Sequence, residues 1–440
     1  PKPSSAASDV YKRQVERQHI THTHPQYEYC KNITHLSKNL YNAALYLNRQ
    51  HYFKTHSYYS DISIINEFTQ NDNADYRALP SKVAKQTVRQ VHKDFTSFFK
   101  LLELKRKGEY DKKVNIPGYK DKKGYTLVTF PKESISKKPV YDAENDQYKH
   151  TVCGRDKKFK FSFYSQHKNV DSVRIIPKQD GLYFILEIVY TVETPQYVPD
   201  NGKYASIDLG VNNLLAVFFN FDTDALLING KPVKSVNQYY NKKKAQLQKE
   251  LFSCHNTIVN SDEYGNDCYE QQYNSNQLRQ LSTYRSNKIN DALHKVSRFL
   301  VNHVVSLDVS KVIVGKNDCW KQDIKMGKRN NQTFVQIPHA KLINMLKYKL
   351  ELVGIELIIV EESYTSKCSA LDYEEVTKHD KYAGRRVKRG LFKTSNGVLI
   401  NADINGAINI MRKVFPNEVV YFDGIVDVAV RPKLCNVLVN

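Results

Sequence analysis

The hydrophobic and polar positions of residues 30–110 follow the spacing of amphipathic helices. Apolar side chains recur every three or four residues, and Pro80 stands at a preferred first position of the longer helix predicted here. The apolar stripe of that helix consists of Ala84, Val88, Val91, Phe95, Phe98 and Leu102. Its basic residues, which fall mostly off the stripe and lack balancing acids, are Lys82, Lys85, Arg89, Lys93 and Lys100. Two interpretations fit this pattern, a solvated surface and a face for phosphate groups.

Beyond this segment, helical spacing gives way to short apolar runs of strand length. Basic turns separate the runs, and one of these turns contains Lys112 and Lys113, two candidate contacts for nucleic acid. Residues 111–200 are therefore predicted to form a small β-barrel or sandwich with basic loops. The stretch 194–201, which has two prolines and precedes Gly202, is predicted to be a linker.

A different order begins at residue 202, with three strands, then helices, then alternating strands and helices. The three strands lie within 204–230 and are joined by tight turns, and the first strand ends in Asp208. Further strands are predicted at 311–314 and 355–360, the latter as an apolar, interior strand. Helices are predicted at 239–251, around 289–304, at 338–352 and after Asn401, the expected N-cap.

The net charge of the chain favours a polyanionic partner. The 440 residues are enough for two or three domains and carry a formal charge of +20. Basic blocks stand beside aromatic residues, among them many of the 30 tyrosines. Because aromatic rings stack on bases and basic side chains pair with phosphates, the preferred partner is nucleic acid. The alternative is a basic, soluble housekeeping protein.

Cysteine usage and hydropathy argue against a disulfide-stabilised protein and against a membrane-spanning protein. Seven scattered cysteines without a Cys-x-x-Cys pair argue against a disulfide framework and for a reducing cytosol. No apolar stretch approaches the roughly 18 residues that a membrane span requires. Residues 1–14 are similar to translated adapter sequence at the ends of unrelated metagenome-derived chains. They are expected to be a non-native tail that replaces the true N-terminus.

Three acidic positions stand at the ends of predicted elements. Asp208 closes the first strand of the 204–230 segment, Glu362 or its neighbour Glu361 follows the strand 355–360, and Asp403 lies in the first turn of the last helix. In an RNase H-like sheet the first and fourth strands are adjacent, so such carboxylates can converge on two Mg²⁺ or Mn²⁺ ions. A residue of this kind taken alone is more often structural, as a turn former, a helix cap or a solvated charge, and the order of all three along the chain is what favours a metal site.

In their order along the chain, these motifs resemble the TnpB (OrfB) family of insertion sequences, the transposon-encoded relatives of type V CRISPR nucleases. The resemblance covers about residues 30–430, and its matching stretches are 36–42, 79–91, 95–99, Ile207–Leu214, Tyr364–Lys367, Lys388–Leu391 and Asn401–Ile410. It implies an RNA-guided DNA endonuclease. A transposon-derived guide RNA would direct it to double-stranded DNA beside a short motif, in the cytoplasm of a bacterium or archaeon.

The resemblance also implies the fold class, an α/β multidomain protein with an RNase H-like (RuvC) nuclease domain. We expect a helical recognition domain at 15–110, a wedge-like β-barrel domain at 111–200 and the nuclease domain at 201–440. A helical insertion at about 231–308 and a basic loop at 363–397 are expected within the nuclease domain.

One departure from the family concerns the catalytic glutamate. The family usually carries it at the end of the strand 311–314, where this chain has Gly315. A variant of the family places the glutamate at the next strand end, before the Thr-Ser-Lys motif, and Glu362 stands three residues before Thr365. Because side chains alternate across a strand, Glu361 stays open as the alternative.

A second departure concerns the four-cysteine zinc finger of the family. The corresponding segment contains only Cys368, with Asp372 and His379 nearby, so four tetrahedral ligands are missing and no structural zinc is expected. Cys368 is expected to be a small buried residue. A basic stretch replaces the finger as a nucleic-acid contact, with Arg385, Arg386, Lys388 and Arg389. Trp320, beside Lys321, either stacks on a nucleotide or packs under its loop.

Other functions fit parts of the same pattern. A relative that has lost nuclease residues would be a nuclease-inactive, RNA-guided DNA-binding regulator. A compact type V CRISPR nuclease and a DNA strand-transfer transposase are further alternatives. A complete acidic triad favours the nuclease over the DNA-binding regulator. RNA-independent joining of transposon ends would indicate the transposase.

Overall fold

Two compact units, Pro1–Glu193 and Thr194–Asn440, make up the chain. The structure, a computed structural model, describes residues 11–153, 157–193, 195–254, 257–261, 267–270, 275–316, 335–416 and 425–438. No helix within these ranges is long and apolar enough to cross a membrane.

The helices of unit 1 fall in the segment where the sequence predicts them. They are α1 (Tyr27–Thr55), α2 (Asp61–Gln70), α3 (Ala74–Arg77) and α4 (Ser81–Arg106). Pro80 directly precedes α4, and the side chains of Ser60 and Asn73 accept hydrogen bonds at the N-termini of α2 and α3. The predicted apolar stripe of α4 is confirmed, because Ala84 and Phe95 are completely buried and the stripe faces the core of this unit.

Two sheets account for the strands described in unit 1. The strands are β1 (Tyr11–Ile20), β2 (Val128–Pro131), β3 (Val140–Asp142), β4 (Gln147–Val152), β5 (Phe161–Ser165), β6 (Ser172–Lys178) and β7 (Tyr183–Glu193). One sheet has the order β1-β7-β6-β2 and the other β3-β4-β5, both antiparallel. Closure into a barrel stays a prediction. Tyr11–Gln14, assigned above to a tail, pair with Tyr190–Glu193 as the first residues of β1.

A six-stranded sheet forms the centre of unit 2, with the order β14-β13-β8-β9-β10-β18. The strands of this unit are β8 (Tyr204–Leu209), β9 (Asn213–Phe219), β10 (Leu226–Asn229), β11 (Thr257–Ser261), β12 (Asp267–Glu270), β13 (Lys311–Gly315), β14 (Glu356–Val360), β15 (Arg385–Lys388), β16 (Leu391–Lys393), β17 (Leu399–Asn401) and β18 (Lys433–Cys435). The three strands β8, β9 and β10 are antiparallel, and β13 and β14 run parallel to β8.

Helices cover both faces of this sheet. The helices of this unit are α5 (Lys231–Cys254), α6 (Asn276–Ser306), α7 (His339–Glu351), α8 (Ala402–Val414) and α9 (Ile425–Val430). Alternate residues of a strand enter opposite cores: Val312 and Val314 join residues of α6 and α7, whereas Ile313 joins residues of α8. The two-sided cover explains why β8, β9 and β13 consist mostly of apolar residues. It also sends every second residue of β8, including Ser206, towards α8, where the Ser206 hydroxyl donates to the Ala407 carbonyl at 2.7 Å.

The predicted position of the strand at 355–360 was wrong. β14 is an edge strand of the described sheet, and Ile359 is 47% exposed. An apolar run indicates strand character but does not distinguish a central strand from an edge strand that pairs on one side only. The segment 363–397, predicted to be irregular, contains a hairpin of β15 and β16, and β16 pairs with β17.

Candidate active site

Strand register brings the candidate acidic residues to one edge of the six-stranded sheet. Ile207 of β8 is opposite Val314 of β13, and Gly315 is opposite Val360 of β14. Asp208, Gly315 and the residues that follow Val360 therefore stand at the same end of three neighbouring strands. Parallel pairing produces this alignment, because the carboxyl ends of parallel strands share an edge.

Glu362 fills the space beside Gly315. A Cβ atom built on Gly315 would lie 2.9 Å from Glu362 Oε2 and 3.1 Å from Glu362 Cβ. The glutamate therefore reaches back from the end of β14 over β13, towards the strand that carries Asp208. The missing side chain at Gly315 creates the room that the carboxyl group of Glu362 occupies.

Glu361 has a different environment. Glu361 is exposed. The Ser363 hydroxyl donates to its carboxylate, and Lys413 Nζ donates to its backbone carbonyl at 2.9 Å. Of the two neighbouring glutamates, only Glu362 lies against Gly315. The role of Glu362 as a metal ligand stays a prediction.

Helix α8 approaches Asp208 through a glycine. A Cβ atom on Gly406 would lie 2.8 Å from Asp208 Oδ2, so only glycine allows the helix backbone this close to the carboxylate. Asp403 lies three residues earlier and thus on the same face of the helix. The predicted cap is confirmed, because the Asn401 side chain accepts hydrogen bonds from the backbone N–H groups of Asp403 and Ile404 at 2.9 and 3.2 Å.

The carboxyl groups of this edge act on one another electrostatically. Burial raises the pKa of Asp208 well above its usual range, and the charges of Glu362 and Asp403 raise it further, while Arg386 lowers it. Burial also raises the pKa of Glu362 to about 7, against a lowering by Lys413. Charging this cluster is therefore costly in the absence of a cation.

Both oxygens of Asp403 are held by protein donors. Asn213 Nδ2 donates to Oδ2 at 2.8 Å, and Arg386 Nη2 donates to Oδ1 at 3.2 Å. Within the described ranges, no three His, Cys, Asp or Glu side chains are close enough together to hold a metal ion. The donor chemistry of Asp208, Glu362 and Asp403 suits Mg²⁺ or Mn²⁺. In the present arrangement both oxygens of Asp403 pair with Asn213 and Arg386.

A stripe of exposed basic residues runs along α4. Its predicted members follow one another at helical spacing on the side away from the buried stripe: Lys82, Lys85, Arg89 and Lys93. Arg89 pairs with Asp61 at 3.2 Å. Lys82 lines a cavity of about 610 Å³ together with Lys132, Lys137 and Lys168. Unit 1 thus presents a basic surface that runs along α4 and includes a cavity at the N-terminal end of this helix.

Other predicted contact residues lie outside this surface. Lys112 and Lys113 are exposed after the end of α4. Arg385, Arg386, Lys388 and Arg389 are exposed on β15 and its turn. Arg386 and Arg389 also line a cavity of about 560 Å³ with Asn213 and Asp403. Trp320 and Lys321 fall outside the described residues.

Comparison with known proteins identifies the family. Residues 187–320 match the OrfB_IS605 family model, described as a probable transposase, and residues 339–410 match that of the Cas12f1-like TNB domain. The TnpB-like protein ORF457 of Acidianus two-tailed virus is 24% identical over 423 residues, which cover 88% of this chain and 84% of the viral protein. This chain belongs to the TnpB family.

A solved structure of a type V effector has a similar fold. The cryo-EM structure of a Cas12f1–sgRNA–target DNA complex aligns with 87% of this TnpB-family chain and 82% of that protein. The TM-score is 0.53 at 13% sequence identity. At this identity the likeness concerns the fold alone, which is a multidomain α/β fold of the TnpB and Cas12 kind.

Sequence reasoning missed the asparagines that fix the TnpB-family chain after Glu362. Asn405 accepts a hydrogen bond from the Ala370 N–H at 2.9 Å, and Asn409 donates to the Thr365 and Cys368 carbonyls at 2.9 and 2.8 Å. Both asparagines are completely buried on α8. The sequence does contain a signal for them, because asparagine recurs at every fourth position from Asn401. This spacing is unusual in a helix, since asparagine has a low helix propensity.

Cys368 is fully buried, as predicted, and its thiol contacts the Thr377 carbonyl at 3.5 Å. Burial raises the pKa of this thiol, which disfavours the thiolate that metals bind. The absence of a structural zinc ion stays a prediction.

Proposed function

We propose that this TnpB-family chain is an RNA-guided DNA endonuclease of the insertion-sequence type. Its active-site residues would be Asp208, Glu362 and Asp403. The observation that carries the proposal is the packing at the end of β8. Glu362 occupies the space beside Gly315, and the backbone of α8 lies against Asp208 at Gly406.

The strand order supports an RNase H-like (RuvC) nuclease domain in unit 2. Three antiparallel strands, β8 to β10, are followed by β13 and β14 on the other side of β8. The first and fourth strands are therefore adjacent, and α8 lies across them. This arrangement explains how residues about 150 to 200 positions apart reach one edge of a sheet.

A divalent cation fits the chemistry of this site. Asp208, Glu362 and Asp403 would hold Mg²⁺ or Mn²⁺, in two-ion form for this class of enzyme, and the bound metal would supply positive charge to a phosphodiester. The asparagines of α8 keep the segment after Glu362 against the helix, so they preserve the position of this carboxyl group. Gly406 does the same for Asp208, because the absence of a side chain lets the helix backbone pack against its carboxylate.

The basic surfaces would hold the nucleic acids. The related Cas12f1 protein was solved with sgRNA and target DNA. By analogy, a transposon-derived guide RNA would read the target by base pairing, while the protein binds backbone and duplex shape. The stripe on α4, Lys112, Lys113 and the β15 hairpin are the proposed backbone contacts.

The test begins with the RNA that co-purifies with the full chain, which is sequenced and used to design matched DNA. Mg²⁺-dependent cleavage is then measured for Asp208→Ala, Asp403→Ala and Glu362→Ala, with Glu361→Ala as the matched control. We expect the first three variants to lose cleavage and retain RNA binding, and the control to cleave like the wild type. Retained cleavage by Asp208→Ala or Asp403→Ala contradicts the proposed site, and loss in Glu361→Ala alone transfers the role to that residue.

A nuclease-inactive, RNA-guided DNA-binding regulator is the second candidate. It is favoured by one observation, that the described residues hold no assembled group of metal ligands. Guide-dependent DNA binding by the wild type with no cleavage at any Mg²⁺ or Mn²⁺ concentration would select it over the nuclease.

A further inference from the structure

The ion pair between Arg386 and Asp403 involves a proposed active-site residue. Arg386 lies on β15, all four residues of which are exposed, and its side chain is 48% exposed. Its Nη2 donates to Asp403 Oδ1 at 3.2 Å, while Asn213 holds the other oxygen at 2.8 Å. A surface arginine thus binds a carboxylate that the nuclease needs for a cation.

This pair opposes cation binding in two ways. The guanidinium group occupies one oxygen of Asp403, and its positive charge repels a second cation at the same carboxylate. The charge extends beyond Asp403, because Arg386 also lowers the pKa of the neighbouring Asp208. The described residues hold no group of three metal ligands. The charges of Glu362 and Asp403 nevertheless act on Asp208.

Nucleic acid offers a competing partner for Arg386. The cavity of about 560 Å³ that contains Asp403 is lined by Arg386 and Arg389 and by the polar Asn212 and Asn213. A backbone phosphate in this cavity would accept two hydrogen bonds from one guanidinium group. An exposed ion pair is weak, so a phosphate can displace the carboxylate.

We propose that Arg386 holds Asp403 away from the cation site until a nucleic-acid phosphate binds Arg386 in place of the carboxylate. Binding of a divalent cation and binding of a DNA strand are then positively coupled, each strengthening the other by the same factor. The proposal rests on the proposed nuclease site. It adds a reason why the site is not assembled in the protein alone.

The coupling is measured by Mn²⁺ titration of the full chain, freed of nucleic acid, with the electron paramagnetic resonance of free Mn²⁺ as the readout. Arg386→Gln is expected to tighten Mn²⁺ binding about tenfold, the effect of one charge removed a few ångströms from a divalent ion. Arg389→Gln is the matched control, because Arg389 lines the same cavity without a described hydrogen bond to Asp403. Equal affinities in the two variants would overturn the proposal. Arg386→Lys, which keeps the charge, should bind like the wild type.

A second titration adds a short phosphorothioate DNA. In the wild type this DNA should tighten Mn²⁺ binding, and in Arg386→Gln the gain should be smaller by about the same tenfold factor. An identical gain in both proteins refutes the exchange of partners.

Failure of the nuclease proposal is distinguishable from failure of this one. If the double variant Asp208→Ala/Glu362→Ala keeps full Mn²⁺ binding, the cation does not bind at the proposed site and both ideas fall. If Arg386→Gln tightens binding and guided cleavage is still absent, the role of Arg386 stands and the nuclease proposal fails.

Discussion

Replacing Gly315 by alanine tests whether the space beside this glycine is filled as the structure indicates. The added Cβ would lie 2.6 Å from Ile410 Cδ1 and 2.9 Å from Glu362 Oε2, whereas ordinary contacts begin at 3.4 Å. Ile410 is completely buried on α8, so its methyl group can yield only by pressing on its own neighbours. Glu362 must move by several tenths of an ångström.

The expected destabilisation follows from two opposing effects. Overpacking of a buried site costs about 1–3 kcal/mol. The change from glycine to alanine within a strand returns about 0.5–1 kcal/mol, because alanine loses less backbone freedom on folding. The mid-range values leave a net loss of about 1 kcal/mol, or a fall of roughly 2–4 °C in the melting temperature of a unit of this size.

Calorimetry of the full chain measures this change as a shift of the melting transition. Gly118→Ala, in unit 1, is the control for the glycine-to-alanine change itself, because nothing lies within 4 Å of its added Cβ, and its effect should stay within about 0.5 kcal/mol. Ile410→Val removes the clashing Cδ1 atom, so the double variant should be more stable than the sum of the single changes predicts, by about 0.5 kcal/mol or more. Additive effects, or a Gly315→Ala variant as stable as the control, would refute the proposed packing.

Two further predictions concern the folding of unit 2. Lys349 is 4% exposed, and burial lowers its pKa from 10.5 to about 8. The unfolded chain therefore holds this proton to a higher pH than the folded chain, so this residue should make the free energy of unfolding rise between about pH 8 and pH 10.5, by at most about 3 kcal/mol. In urea titrations across this range Lys349→Met should lose that rise, and an unchanged profile would contradict the assignment. Asn401→Ala should lower stability by about 1 kcal/mol through loss of the α8 cap, while Asn401→Ser should keep most of it; equal losses in the two thermal melts would exclude the capping role.

Asp208 and Asp403 show what can be predicted from local sequence patterns. Asp208 and Asp403 are recognisable because each stands at the end of an element whose own residues define it, a strand before a tight turn and a helix after an asparagine cap. The buried stripe of α4 and the helices of unit 2 follow from periodicity in the same way. Such signals depend on neighbours a few positions away, so one sequence is enough to read them.

The position of Glu362 shows where that reading ends. Alternation along a strand leaves Glu361 and Glu362 equally possible, and β14 looked like an interior strand although it lies at the edge of the described sheet. Tertiary packing places Glu362 against Gly315, because β13 lies between β14 and β8 and carries no side chain there.

The amino-acid sequence by itself determined the elements of this TnpB-family protein, its basic surfaces and its candidate acidic residues. Only the tertiary structure decided which glutamate faces Asp208, which glycines make room for carboxylates, and that Arg386 holds Asp403. The physical reason is distance along the chain. Periodicity and capping act over a few residues, whereas these contacts join segments that are brought together by strand register and helix packing alone.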